Sequence, residues 1–255
     1  MTLPPSPFKG LAYFNDEEHD RLFFFGRERE SELVAANLMA ARLTVLYGPS
    51  GVGKTSLLRA GVSGKLRSLV SSGPPGSPVP VVAIVDSWRD DPVAAVAAAA
   101  GALADVPLAD ALAERALELG AEIYLVLDQM EEYLLYHGRD GGPLADPLEE
   151  LLTRPDLPVH VLLGVRDDAL ADLDALKRRV PALFGNVLRL DHLTRASARA
   201  AIEGPLRAYA ALGGPEVRAE DELVEAVLDQ VGAGRIERDL TGRGLADGDA
   251  RARRI

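Results

Sequence analysis

The run Gly48-Pro-Ser-Gly-Val-Gly-Lys-Thr55 has the spacing G-x-x-x-x-G-K-[ST], a set of residue types suited to holding phosphate. Glycines let the backbone turn back on itself through Pro49, Ser50, Gly51, Val52 and Gly53, so that successive N–H groups point inward at phosphate oxygens. A helix starting near Lys54 and continuing through Ser56 would add its positive N-terminal end. In such a bend Lys54 is a point charge for the outer phosphates, and the Thr55 hydroxyl is a ligand for Mg²⁺. The chain has four lysines against 24 arginines, so a Gly-Lys-Thr triplet in this frame is hard to ascribe to chance.

A second group of polar residues lies downstream. Asp128 ends the apolar run Ile123-Tyr-Leu-Val-Leu127, and a carboxylate at the C-terminal edge of a parallel strand faces the same crevice as the glycine bend. There it could share the Mg²⁺ with Thr55, or it could simply cap the next helix. Hydrolysis also needs a group that polarises water. Gln129 occupies the place after the aspartate where many ATPases carry an acid, which leaves Glu131 or Glu132 as the base, or no base at all. Arg166 ends the run Val161-Leu-Leu-Gly-Val165. It reaches the outer phosphate only if that strand lies between those of the bend and Asp128; otherwise it is a surface arginine paired with Asp167 or Asp168.

These residues need a scaffold that gathers strand ends. Five short apolar runs, at Leu43–Tyr47, Val81–Val85, Ile123–Leu127, Pro158–Val165 and Asn186–Leu190, predict an α/β sandwich. Its five-stranded parallel sheet is covered on both faces, with the glycine-bend strand central. Helical spacing predicts helices at Glu28–Arg42, from the bend to about Leu66, and at 92–103 and 107–119. Beyond Leu193 only helical patterns remain, at 195–211 and 219–230, as in a partial lid. Ser71–Ser77 reads as a low-complexity loop, and Gly232–Ile255 is too poor in apolar residues to assign structure. The expected divisions are an arm at 1–20, a core at 21–193 and a helical lid at 194–255.

Composition removes other classes. A net charge of −11 argues against nucleic acid as a partner, and the basic tail Arg251, Arg253 and Arg254 reads as solvated. Without cysteine there is no disulfide or zinc-thiolate site, which fits a cytoplasmic setting. The longest uncharged apolar run, Val93–Ala104, is too short to span a bilayer, and the N-terminus lacks a signal-peptide pattern. No G-x-S-x-G elbow occurs, no N-K-x-D motif selects guanine, and His19, His137, His160 and His192 are scattered. Phe23, Phe24 and Phe25 could stack on a base but fit better as packing of the N-terminal helix under the sheet. Trp88 and Arg89 follow the second strand, either as loop packing or as a phosphate or subunit contact.

Lys9-Gly-Leu-Ala-Tyr-Phe14, Phe23-Phe-Phe-Gly-Arg-Glu28 and the bend through Gly61 resemble the start of the bacterial novel STAND NTPases, signal-transduction ATPases of the AAA+-like P-loop class. Ser87-Trp-Arg-Asp-Asp-Pro92, Asp128-Gln-Met-Glu-Glu132, Val165-Arg166 and Leu193-Thr-Arg195 through Glu203-Gly-Pro205 continue the resemblance in family order over residues 7–230. It implies a P-loop NTPase fold and a switch that is ADP-bound and closed at rest, then ATP-bound and self-associating. It also implies that Gly26 and Arg27 lie against the nucleotide base and that Gly204 and Pro205 approach it from the lid. Sensor repeats and an effector are expected outside this chain, which stops at Ile255 within the helical lid. Three functions are consistent with these features: slow Mg²⁺-dependent ATP hydrolysis timing a switch, a nucleotide-sensing oligomerisation module with little turnover, and a DNA-acting initiator that the charge disfavours.

Overall fold

The five apolar runs become five strands in the computed structural model, which describes residues 3–10, 12–71, 78–103, 105–138 and 141–242. They are β1 (Leu43–Gly48), β2 (Val81–Val85), β3 (Ile123–Leu127), β4 (Val159–Arg166) and β5 (Val187–Arg189). All pair in parallel, in the order β2-β3-β4-β1-β5. Helices cover both faces, which is why the strands read as continuous apolar runs rather than alternating ones; every residue of β3 is buried. β1 lies inside the sheet between β4 and β5, one place from the middle, which β4 holds. β4 therefore separates β1 from β3, and its register sets Gly48 beside Arg166 and Leu127 beside Leu163.

One face is packed by α2 (Glu28–Ala40) and by the helix that leaves the glycine bend. That helix runs as α3 (Lys54–Ser56), a π-helical stretch at Leu57–Val62 and α4 (Ser63–Ser71). Val34 and Leu38 meet Leu57, Leu58, Val126 and Leu162 there. α2 follows a short α1 (Glu18–Leu22). The other face carries α5 (Pro92–Ala100), α6 (Leu108–Leu119), α7 (Met130–His137), α8 (Ala145–Thr153) and α9 (Asp174–Lys177). α5 is framed by the Asp91 carboxylate, which accepts from the Val93 and Ala94 amides, and by left-handed Gly101, so it stops before residue 103.

The lid consists of α10 (Arg195–Ala211), capped by the Thr194 hydroxyl, and α11 (Asp221–Gly242), which continues past residue 230 into the Gly-containing stretch. Of the Phe23–Phe25 triplet, Phe24 packs against the core cluster on the α2 face of the sheet as expected, whereas Phe23 and Phe25 seat the lid. Phe23 meets Tyr209 of α10 with ring centroids 5.9 Å apart, and a Cβ on Gly204 would come within 2.5 Å of the Phe25 ring. Among the described residues no helix is long and apolar enough to cross a membrane. Residues 72–77 of the low-complexity loop, and 243–255 with Arg251, Arg253 and Arg254, lie outside the described residues.

Gly164 lets β4 pass the end of β3. A Cβ there would stand 2.6 Å from an Asp128 carboxylate oxygen and 3.3 Å from the Asp128 Cα. Gly164→Ala should therefore destabilise the fold by about 1–3 kcal/mol through overpacking. It should also shift the emission of Trp88, whose indole N–H donates to the Asp128 carbonyl at 2.8 Å. Urea unfolding followed by the fluorescence of this single tryptophan reads both effects.

Candidate functional site

A cleft of about 460 Å³ opens at the carboxyl ends of β1, β3 and β4. Ser50, Gly51, Gly53, Lys54, Thr55 and Ser56 line it from the glycine bend, Asp128, Gln129, Glu131 and Glu132 from the end of β3 and the start of α7, and Arg166 from β4. Ala12 and Tyr13 of the N-terminal arm complete the lining. The bend depends on left-handed backbone at Gly51 (φ +74°) and Gly53 (φ +92°). A Cβ at either would meet nothing within 4 Å, so conformation and not space requires glycine there.

Two contacts organise the cleft. The Thr55 hydroxyl donates to Asp128 Oδ2 at 2.6 Å, joining residues 73 apart in the chain. Lys54 folds over its own bend and donates to the carbonyls of Gly48 at 2.8 Å and Pro49 at 3.1 Å. Burial lowers the Lys54 pKa, with the charges of Glu131 and Asp128 opposing that shift. Asp128 is 1% exposed, and burial lifts its carboxyl above the usual range against the bonds from Thr55 and the Gln129 amide. A buried acid beside a hydroxyl offers two hard oxygen donors of the kind that suits a small divalent cation.

Gln129 is the one non-glycine with positive φ (55°) among the described residues. That conformation costs on the order of 1 kcal/mol. It turns the Gln129 N–H back onto Asp128 Oδ1 at 2.9 Å and starts α7. Glu131 then reaches across to accept from the Arg166 backbone N–H at 3.1 Å. Burial raises the Glu131 carboxyl, while its own amide, that of Arg166 and the Lys54 charge pull it down. Glu132 lines the cleft beside it. The Arg166 guanidinium stands at the cleft lip, bonded to Asp168 at 3.0 and 2.6 Å.

Gly26, Arg27, Val52 and Pro205 form a second group behind the bend. Arg27 is buried, donates to the Val52 carbonyl at 3.0 Å and pairs with Glu30 at 2.8 Å. Gly26 presses on α10 so closely that a Cβ would lie 2.2 Å from the Ser197 carbonyl oxygen. Pro205 is buried in the same helix, about two turns on. Trp88 is fully buried against Tyr133, with ring centroids 5.3 Å apart, so its place is that of loop packing, while Arg89 lies 5.7 Å over the Tyr136 ring. His160 bonds to the Ala41 carbonyl and His137 to that of Trp88. His19 stands with Glu17 and Asp20, the one group of three possible metal ligands among the described residues, but Asp20 already accepts from Lys9 and the Asn15 amide.

Sequence reasoning passed over Gly164 and Tyr13. A glycine inside the apolar run of β4 was the signal for the first, since strand glycines mark close approaches. Tyr13 sits in the opening block that carried the resemblance, with no chemical pattern of its own.

Solved structures sharing this fold include a Walker-type ATPase of Pyrococcus abyssi, at TM-score 0.52 and 18% identity over 85% of this chain. The ORC2 protein of Aeropyrum pernix in its ADP form matches at 0.52 and 13%, covering 89% of this chain and 70% of its own. The ORC1 protein of the same organism, in complex with DNA, matches at 0.51 and 20%, covering 88% and 69%. At these identities the likeness is one of fold, and the chain spans 65% of the Pyrococcus abyssi protein. No curated protein matches by sequence. The model described as Novel STAND NTPase 1 matches residues 7–239, taking in the glycine bend, Asp128 and the lid helices; the chain is a P-loop NTPase and belongs to the novel STAND NTPase family.

Proposed function

We propose that this chain binds ATP with Mg²⁺ in the cytoplasm and hydrolyses it slowly, replacement of ADP by ATP switching it from a closed to a self-associating state. The observation that carries this reading is the 2.6 Å contact between Thr55 and Asp128 in the cleft that also holds Lys54. The donor set fits the cation, since a hydroxyl and a buried carboxylate supply the hard oxygen donors it favours. Bound there, Mg²⁺ would neutralise phosphate charge and polarise the bond to be cleaved. Thr55 and Asp128 would hold it, and Lys54 would turn from the Gly48 and Pro49 carbonyls to phosphate oxygens, whose charge favours the ammonium form that burial disfavours.

Glu131 is the water-orienting residue in this reading. Its carboxylate is half-buried, aimed by the Arg166 amide and held beside Lys54, whereas Glu132 has no such bond. Arg166 leaves Asp168 for the terminal phosphate. Pro49, Ser50, Gly51, Val52, Gly53 and Ser56 wrap the phosphates; Gly26 and Arg27 meet the base, with Pro205 approaching from the lid, as in the family. Residues 1–20 act as an arm, 21–193 as the nucleotide core and 194–255 as the lid. Gln129 favours one alternative: without an acid directly after Asp128, the chain would sense nucleotide and oligomerise with little turnover.

Lys54→Ala should weaken Mg-ATP binding by roughly two orders of magnitude, about 2.8 kcal/mol by calorimetry; unchanged affinity would refute nucleotide binding at this site. Glu131→Gln should slow phosphate release ~100-fold or more while Glu132→Gln does not. A wild type that releases no phosphate, yet grows in light scattering with a non-hydrolysable ATP analogue and not with ADP, would select the sensing module.

A further inference from the structure

We infer that Tyr13 is a nucleotide-contacting residue: it forms the outer wall of the phosphate cleft, and a bound nucleoside di- or triphosphate packs between its side chain and the glycine bend. The inference rests on the proposed nucleotide binding and extends it to the N-terminal arm.

Tyr13 and Ala12 line the same cleft as Ser50, Thr55 and Asp128. The arm is fixed there by contacts of several kinds. The Phe14 N–H donates to the Ser56 hydroxyl at 3.2 Å, one residue beyond Thr55, and the Phe14 ring meets Phe24 at 5.6 Å. At its base, the Lys9 ammonium and the Asn15 N–H both donate to the Asp20 carboxylate, which is 1% exposed. A buried carboxylate that gathers two donors is costly to leave unmatched, so the anchor favours one placement of the arm. The Arg59 guanidinium covers the Tyr13 ring at 5.2 Å and is itself paired with Asp86, after β2, at 2.5 Å.

This clamp leaves Tyr13 45% exposed, an amphipathic side chain at the rim of a charged cleft. A phenol in that position can donate its O–H to a phosphate oxygen while its ring keeps water from that side of the phosphate chain. A contact of this kind holds bound nucleotide, so its loss speeds release as well as weakening binding.

The test is displacement of N-methylanthraniloyl-ADP by excess unlabelled ADP, with Mg²⁺, followed by fluorescence. Tyr13→Ala removes a half-exposed side chain and should speed release about tenfold at unchanged melting temperature. Lys9→Ala, which unties the base of the arm without touching the cleft, should also speed release. Release from Tyr13→Ala at the wild-type rate would overturn the inference while leaving nucleotide binding intact; a wild type that takes up no labelled ADP would bring down both.

Discussion

The Thr55–Asp128 contact constrains the architecture more than any other pair. It requires two strand ends that are not neighbours in the sheet to converge, because β4 runs between β1 and β3. The convergence is possible only if β4 keeps out of the way, and Gly164 is the residue that does so, carrying no side chain where the Asp128 carboxylate passes. Left-handed Gln129 completes the arrangement by returning its amide to the same carboxylate. Trp88 then fixes the Asp128 carbonyl from behind. The aspartate is thus held through both its backbone and its side chain, a degree of preorganisation that suits the ligand role proposed for it.

The charges around this contact are poorly satisfied by the protein itself. Burial disfavours the ionised forms of Lys54, Asp128 and Glu131 alike, and their mutual attraction compensates only in part. Lys54 meanwhile spends its donors on the carbonyls of its own bend. A cleft in which burial disfavours the charge of one cation and two acids is a setting that the metal-bound nucleotide proposed above would relieve.

Much of this was legible in the sequence because it is local. The bend announces itself through glycines at fixed spacing, and the strands through apolar runs that burial on both faces makes continuous; β2 and β3 begin and end where composition places them. Helical spacing alone leaves open which residues at the edge of a helix's apolar side turn inward. In α2 the buried side is Ser31, Val34, Ala35 and Leu38, while Leu33 is 53% exposed, and in α6 Leu119 turns outward as the helix ends at Gly120. α7 and α8 are short: α7 mixes acids with aromatics, and the stripe of α8, Ala145, Leu148 and Leu151, spans too few turns to stand out. Gly164 and Tyr13 escaped for a different reason: their contacts are with residues far along the chain.

The same long-range character links the bend to the lid. Val52 offers its carbonyl to Arg27, Arg27 follows Gly26 directly, and Gly26 lies against the Ser197 carbonyl at the start of α10. Further along that helix, Gly204 rests on Phe25 and Tyr209 on Phe23. Tyr209 also donates to the Pro4 carbonyl at 2.7 Å, so the arm that reaches the front of the cleft is tied to the lid as well. Two routes therefore connect this region to α10, one behind the bend through Arg27 and one in front through the arm, where the Phe14 N–H meets the Ser56 hydroxyl. Close-packed contacts of this kind do not stretch: a ligand that shifts the bend by a fraction of an ångström must either be opposed by both routes or carry the lid with it.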